Sequence, residues 1–258
     1  MTMDEDLSLP RILCLHGGGT SSRIFRVQAS RLKILLRSDF RFVFVDGPFE
    51  RSAGPGVLPV FEGLEPYLGW VPADAWQTDE HKLKVTEVLK RAMRADEGTA
   101  PFVGIMGFSQ GARLAAGCLM EEERRRLAKE GTKLANFRFG VLMGATHSPM
   151  LLEPGSPSYG GPAGLDCMDL SQTKYFASIK VPTIHVVGTR DPVCKGKKVL
   201  LNEYCDARHA KLFEFDGGHH LPRQNDAASL AELILKAYRY QGATGHWWMA
   251  DEQEDVSV

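Results

Sequence analysis

The sequence predicts an α/β protein: an open, mostly parallel sheet of about six strands, with helices on both faces and long loops forming a lid or pocket over the sheet's carboxyl edge. Three observations carry this. Short runs are apolar at nearly every position, as strands covered on both faces require. Stretches of helical periodicity separate them, giving repeated βα units. Two connections are too long for simple crossovers. The 258 residues, 43% hydrophobic and 24% charged, suffice for one well-buried domain, so a single domain over residues 1–258 is expected, with about 1–10 and 242–258 as flexible tails.

The strands are read at Arg11–Leu15, Arg41–Val45, Phe102–Met106, Phe137–Met143, Thr183–Val187 and Leu212–Phe215, each bounded by Gly, Pro or Asp. Helical faces recur at Phe25, Ala29, Leu32 and Leu36, at Val85, Val88, Leu89 and Ala92, and at Leu230, Leu233, Ile234 and Ala237. The long connections run from Gly47 to about Glu80 and from Gly144 to about Ser178, and both are rich in Gly, Pro and aromatics. Loops of this length in an α/β sheet are expected to build a binding crevice. The run EEERRRLAKE, Glu121 to Glu130, reads as a solvated helix end with local salt bridges. Past Gln241 the chain turns acidic and aperiodic, and Trp247 and Trp248 there either cover an apolar surface or pack on a partner.

Charge excludes some classes. A net charge of -1 leaves no basic surplus for nucleic acid. Residues 1–10 hold three acids and no apolar core, and no apolar stretch approaches membrane-spanning length. A cytoplasmic protein without membrane contact is therefore expected. Five scattered cysteines (Cys14, Cys118, Cys167, Cys194 and Cys205) form no C-x-x-C pair, so reduced thiols, no metal and no cofactor are expected, with Cys118 and Cys205 as core fillers.

The chemistry-bearing residues follow predicted strands. In GIMGFSQGARLAAG, Ser109 sits between glycines at a strand–turn–helix junction, where an apical side chain projects from the sheet edge. The helix that opens behind it directs free N–H groups and a positive dipole end toward the same point. A serine nucleophile also needs a base and a group to orient that base. Asp191 follows the fifth strand, and His219 and His220 follow the sixth. The chain order Ser, Asp, His brings all three chemistries to one sheet edge. Behind the first strand lies His16-Gly17-Gly18-Gly19, a loop suited to meeting a developing oxyanion with backbone N–H donors. Gly18 and Gln110 are the candidate donors, with Gly19 second, and His16 is expected to brace the loop. A phosphate cradle is the rival reading, but neither G-x-G-x-x-G nor a P-loop lysine is present.

These motifs resemble the fungal family of serine hydrolases within the α/β-hydrolase superfamily, over most of the chain. Leu15-His16-Gly17 matches the family's L-H-G opening, and Gly107 to Gly111 its G-F-S-x-G elbow. Gly188 to Asp191 matches G-x-x-D, and Gly217 to Pro222 matches G-G-H-x-x-P. The last match makes His219 the base and His220 its neighbour. The stretch SAGPGVLPVFEGLEPYLGW, Ser52 to Trp70, is similar to a segment of fungal thioesterases that release polyketides. The resemblance implies a Ser109, Asp191, His219 triad acting on an acyl ester or thioester. It also implies an acyl chain against Pro59, Phe61, Tyr67 and Trp70, and a substrate presented by an acyl carrier protein of a polyketide synthase. The glycine triplet is richer than in some members, and the loop after Met143 has no family match. Only about ten residues precede the first strand, so the antiparallel strands that open many such sheets are not expected. A hydrolase of small free esters and a non-catalytic ligand binder are the alternatives.

Overall fold

The structure, a computed structural model, describes residues 6–73, 77–145, 147–158, 173–193, 198–240 and 246–249. In chain order its elements are β1 (Arg11–Leu15), α1 (Ser22–Gln28), α2 (Ser30–Leu35), β2 (Arg41–Val45), β3 (Phe49–Glu50), β4 (Leu68–Gly69), α3 (Asp79–Ala95), β5 (Phe102–Phe108) and α4 (Gln110–Leu127). Then follow β6 (Phe139–Met143), β7 (Thr183–Gly188), α5 (Val199–Tyr204), β8 (Ala210–Phe215), α6 (Gln224–Arg239) and a 3-10 turn at Trp247–Met249. The six predicted strands form one sheet in the order β2-β1-β5-β6-β7-β8. Every neighbouring pair in it is parallel.

Alternate side chains explain the all-apolar runs, because each sheet face is covered. Leu13, Leu15, Val43, Val45 and Ile105 pack with α3, α4 and α5 on one face. Ile12, Cys14, Phe42, Val103 and Met106 pack with α1, α2 and α6 on the other. The chain steps from β1 outward to β2, then returns to place β5 on the other side of β1. The reversal between β1 and β5 opens a crevice at their carboxyl ends, where ligands of open α/β sheets bind.

Several local readings change. The periodic face from Phe25 to Leu36 belongs to two helices, broken at Ala29 (φ -87°, ψ 4°), although all four residues remain buried. β6 begins at Phe139, because Phe137 turns back on Ala135 while Arg138 N–H donates to the Val103 carbonyl. The first long connection contains the small antiparallel pair β3–β4, which sequence periodicity is too short to show. Beyond its first residues, the described part of the second connection packs inward: Met150, Leu151 and Leu152 are buried against α4. The EEERRR run is less solvated than expected. Glu121 and Glu123 are buried, Glu121 pairs with Lys133 at 2.7 Å, and burial pushes its carboxyl up to about 7. Trp247 lies in the segment read as a tail, yet it is buried in this chain's own core and donates to the His209 carbonyl at 2.9 Å. Of the predicted N-terminal tail, residues 6–10 are described and are tied to the fold, with Thr99 N–H donating to the Leu7 carbonyl and Arg41 N–H to the Pro10 carbonyl, while residues 1–5, 242–245 and 250–258 lie outside the described residues. Cys14, Cys118 and Cys205 are buried free thiols, while Cys167 and Cys194 lie outside the described residues. No helix among the described residues is long and apolar enough to cross a membrane.

Candidate active site

β5 runs into α4 through a single residue. Ser109 holds φ 53° and ψ -115°, a left-handed conformation that costs a non-glycine residue about 1–3 kcal/mol and persists only where its surroundings enforce it. Here its N–H donates to the Met143 carbonyl of β6 at 2.8 Å, and its carbonyl accepts from the N–H groups of Ala112 and Arg113. The flanking glycines are a steric requirement: a Cβ at Gly107 would strike the Gly111 carbonyl, and one at Gly111 would strike the carbonyls of Leu15 and His16. The turn thus carries the Ser109 side chain to the carboxyl edge of the sheet, into the crevice beside β1.

The last paired residues of β7 and β8 are Gly188 and Phe215, so the loops that follow emerge side by side. Asp191 is buried, and one carboxylate oxygen accepts the Val193 N–H at 2.8 Å. The other lies 2.6 Å from His219 Nδ1. A carboxylate only accepts, so Nδ1 carries a proton, and in the neutral imidazole the lone pair is then on Nε2. The His219 ring rests on Phe108, the residue before Ser109, at 4.8 Å between centroids. Ser109 and His219 line the same cavity, and in this structure their side chains form no hydrogen bond with each other. His220 is otherwise engaged. Its Nδ1–H donates to the Leu221 carbonyl at 2.9 Å, and its Nε2 accepts from the Gly218 N–H at 3.2 Å.

Hydrogen bonding separates the three candidate donors, two on the glycine loop and one at the start of α4. Gly19 N–H is consumed by the Leu68 carbonyl at 2.8 Å. The backbone N–H groups of Gly18 and Gln110 donate to nothing among the described residues, and the Gln110 side chain packs against Gly18. His16 braces the loop with both ring nitrogens: Nδ1–H donates to the Gly17 carbonyl at 2.7 Å, and Nε2 accepts from the Gly47 N–H at 2.9 Å. Burial holds its pKa below the ordinary histidine value, which keeps it in the neutral form this bonding needs.

Trp70 completes the brace. Its indole N–H donates to the His16 carbonyl, and its backbone N–H donates to Gln110 Oε1, both at 2.8 Å. Trp70→Phe leaves the buried His16 carbonyl unpaired and should cost about 1–3 kcal/mol of stability. Thermal unfolding of the variant checks this, and an unchanged melting temperature would contradict it.

Two clefts meet at Ser109. The larger, of about 750 Å³, is walled by Val57, Val60, Phe61, Phe108 and Leu221. The smaller, of about 300 Å³, lies toward Arg51, Gln110, Arg113 and His147. Of the four residues expected along an acyl chain, Phe61 alone lines the larger cleft, and the other three are corrected. The flap from Ser52 to Tyr67 is tied to the glycine loop by hydrogen bonds from Gly54 N–H to the Gly19 carbonyl and from Leu68 N–H to the Thr20 carbonyl. That tether turns Tyr67 inward against Ile24 and Val57, with its hydroxyl on the Phe61 carbonyl. Trp70 is spent on the brace, and Pro59 faces solvent. Val57 and Val60, the apolar walls that were missed, lie in the same flap, and nothing in the sequence distinguishes their orientation. Among the described residues, no group of three His, Cys, Asp or Glu side chains is placed to hold a metal ion.

Comparison with known proteins agrees with this geometry. Residues 3–230 match the family described as Serine hydrolase (FSH1). The chain is 36% identical over 232 residues to the esterase FUS5 of Gibberella moniliformis, covering 89% of this chain and 88% of that one. It is 36% identical over 262 residues to the probable esterase tazC of Aspergillus terreus, covering 93% and 96%, and 33% identical over 257 residues to the esterase citA of Monascus ruber, covering 93% and 97%. Among solved structures, Arabidopsis thaliana SOBER1 aligns with a TM-score of 0.55 at 16% identity over 89% of this chain and 99% of that one. A Bacillus cereus carboxylesterase aligns with a TM-score of 0.51 at 18% identity over 90% and 91%. The solved structures establish the α/β-hydrolase fold. The matched span contains the elbow, the glycine loop and the Asp191–His219 pair together, and the chain belongs to the FSH1 serine hydrolase family.

Proposed function

We propose that the protein hydrolyses acyl esters or thioesters through an acyl-enzyme on Ser109. The observation that carries this is the Asp191–His219 hydrogen bond beside the strained Ser109 elbow, with two unpaired backbone donors at the same crevice. His219 Nε2 takes the hydroxyl proton as Ser109 Oγ attacks the acyl carbonyl, and the Gly18 and Gln110 N–H groups hold the resulting oxyanion. Collapse breaks the bond to the leaving alkoxide or thiolate, which receives the proton from His219. Water then attacks the acyl-enzyme, gives its proton to His219, and releases the acid as the proton returns to Ser109. The Ser109–His219 hydrogen bond forms when substrate is bound, as catalytic contacts commonly tighten in the complex.

The apolar walls of the larger cleft, Val57, Phe61, Phe108 and Leu221 among them, favour a medium or long acyl group over acetyl, at up to about 0.8 kcal/mol for each buried methylene. An acyl carrier protein of a polyketide synthase is the presenting partner we favour for such a chain, acting in the cytoplasm, on the likeness of the Ser52–Trp70 segment. Acetyl and octanoyl groups, each assayed as a p-nitrophenyl ester and as an N-acetylcysteamine thioester, test the reading. Octanoyl should exceed acetyl by tenfold or more in kcat/KM. Retained thioester turnover supports carrier release, and a flat chain-length profile would remove the larger cleft from acyl binding.

A further inference from the structure

We infer that the substrate carries an anionic group, a carboxylate or a phosphate, which is held at the mouth of the larger cleft by Arg31 and Arg223. The inference rests on the esterase reading and concerns the same cleft. Arg31 stands in α2 and Arg223 caps the N-terminus of α6, so two helices far apart in sequence, packed together on one face of the sheet, deliver two guanidinium groups to one cavity that also reaches Ser109 and His219. Neither guanidinium makes an ion pair or a hydrogen bond among the described residues. Among the described residues no Asp or Glu lines this cleft, and none lines the smaller one that also reaches Ser109. The chain as a whole is balanced, with 31 basic and 32 acidic residues, so the absence of acids from the described lining is a local arrangement and not a consequence of composition.

Gln28, Gln224 and Asn225 add neutral polar groups to the same lining, and Val57, Val60, Phe61, Phe108 and Leu221 form its apolar part. Arg31 and Arg223 are both exposed, so the cleft combines apolar walls with cationic groups open to solvent. A guanidinium offers paired donors that match the two oxygens of a carboxylate or phosphate. The anion has two chemical sources: the far end of the acyl chain, or the phosphate of a pantetheine-type leaving arm.

Three thioesters distinguish them: octanoyl N-acetylcysteamine, neutral throughout; its ω-carboxyl counterpart, suberoyl N-acetylcysteamine; and octanoyl phosphopantetheine. The kcat/KM of one anionic substrate should exceed that of the neutral one by about tenfold at low ionic strength, and which of the two does so identifies the source. The ratio should fall toward one in the double variant Arg31→Gln, Arg223→Gln, and also in wild type as salt is raised from about 0.02 M to about 0.5 M. Equal kcat/KM for all three, or a ratio unaltered by the double variant and by salt, overturns the anion site alone. A wild type that hydrolyses none of the three overturns the esterase reading and this inference with it.

Discussion

Ser109→Ala is expected to lower kcat by about 10⁴- to 10⁶-fold and to abolish covalent labelling by a fluorophosphonate probe. The substitution removes one oxygen and keeps the Cβ, so the elbow meets the same backbone requirement as before, and the 2.8 Å hydrogen bond from residue 109 N–H to the Met143 carbonyl involves no side chain. Thermal unfolding should therefore be nearly unchanged while activity disappears. That separation makes the experiment decisive, because a turn whose serine is only structural would show little change in labelling or turnover. Residual hydrolysis should remain above the uncatalysed rate, since the Gly18 and Gln110 donors are backbone groups that the mutation leaves in place. Undiminished labelling would remove Ser109 from the chemistry.

Much of this architecture was legible because it is written in side-chain periodicity. β1 and β2 fall at the expected residues, since buried parallel strands read as unbroken apolar runs. Asp191 and His219 are brought together by strand ends whose positions those runs define. What escaped the sequence depends on backbone hydrogen bonds and on side-chain direction within loops. The Gly54, Gly19, Leu68 and Thr20 bonds that orient the flap involve main-chain atoms alone, so no residue type announces them, and Trp70 and Tyr67 read equally well as cleft walls or as inward anchors. Gly18 and Gly19 are alike in sequence, and only the hydrogen bond from Gly19 N–H to the Leu68 carbonyl sets them apart. The break at Ala29 was hidden for the opposite reason, because the buried face continues across both helices. Arg31 and Arg223 are single surface arginines in sequence, and only the structure shows that they line one cavity.

The adjacent histidines should behave very differently. His219→Ala is expected to reduce kcat by about 10⁴- to 10⁶-fold, comparable to loss of the serine, because the two act as one unit. His220→Ala should cost less than about tenfold: both its nitrogens are engaged with the loop backbone at Leu221 and Gly218, so its loss removes two tethers worth about 0.5–1.5 kcal/mol each and no proton acceptor. The reverse order of effects would overturn the assignment. Asp191→Asn sharpens the test, since it conserves shape and alters only hydrogen-bond polarity. An amide NH₂ turned toward His219 Nδ1 donates where the carboxylate accepted, which favours the tautomer with the proton on Nε2. That nitrogen then has no lone pair for the Ser109 proton, and kcat should fall by about 10⁴-fold in an enzyme that remains folded. A small effect of Asp191→Asn beside a large effect of His219→Ala would mean that the 2.6 Å contact anchors the loop without setting the tautomer.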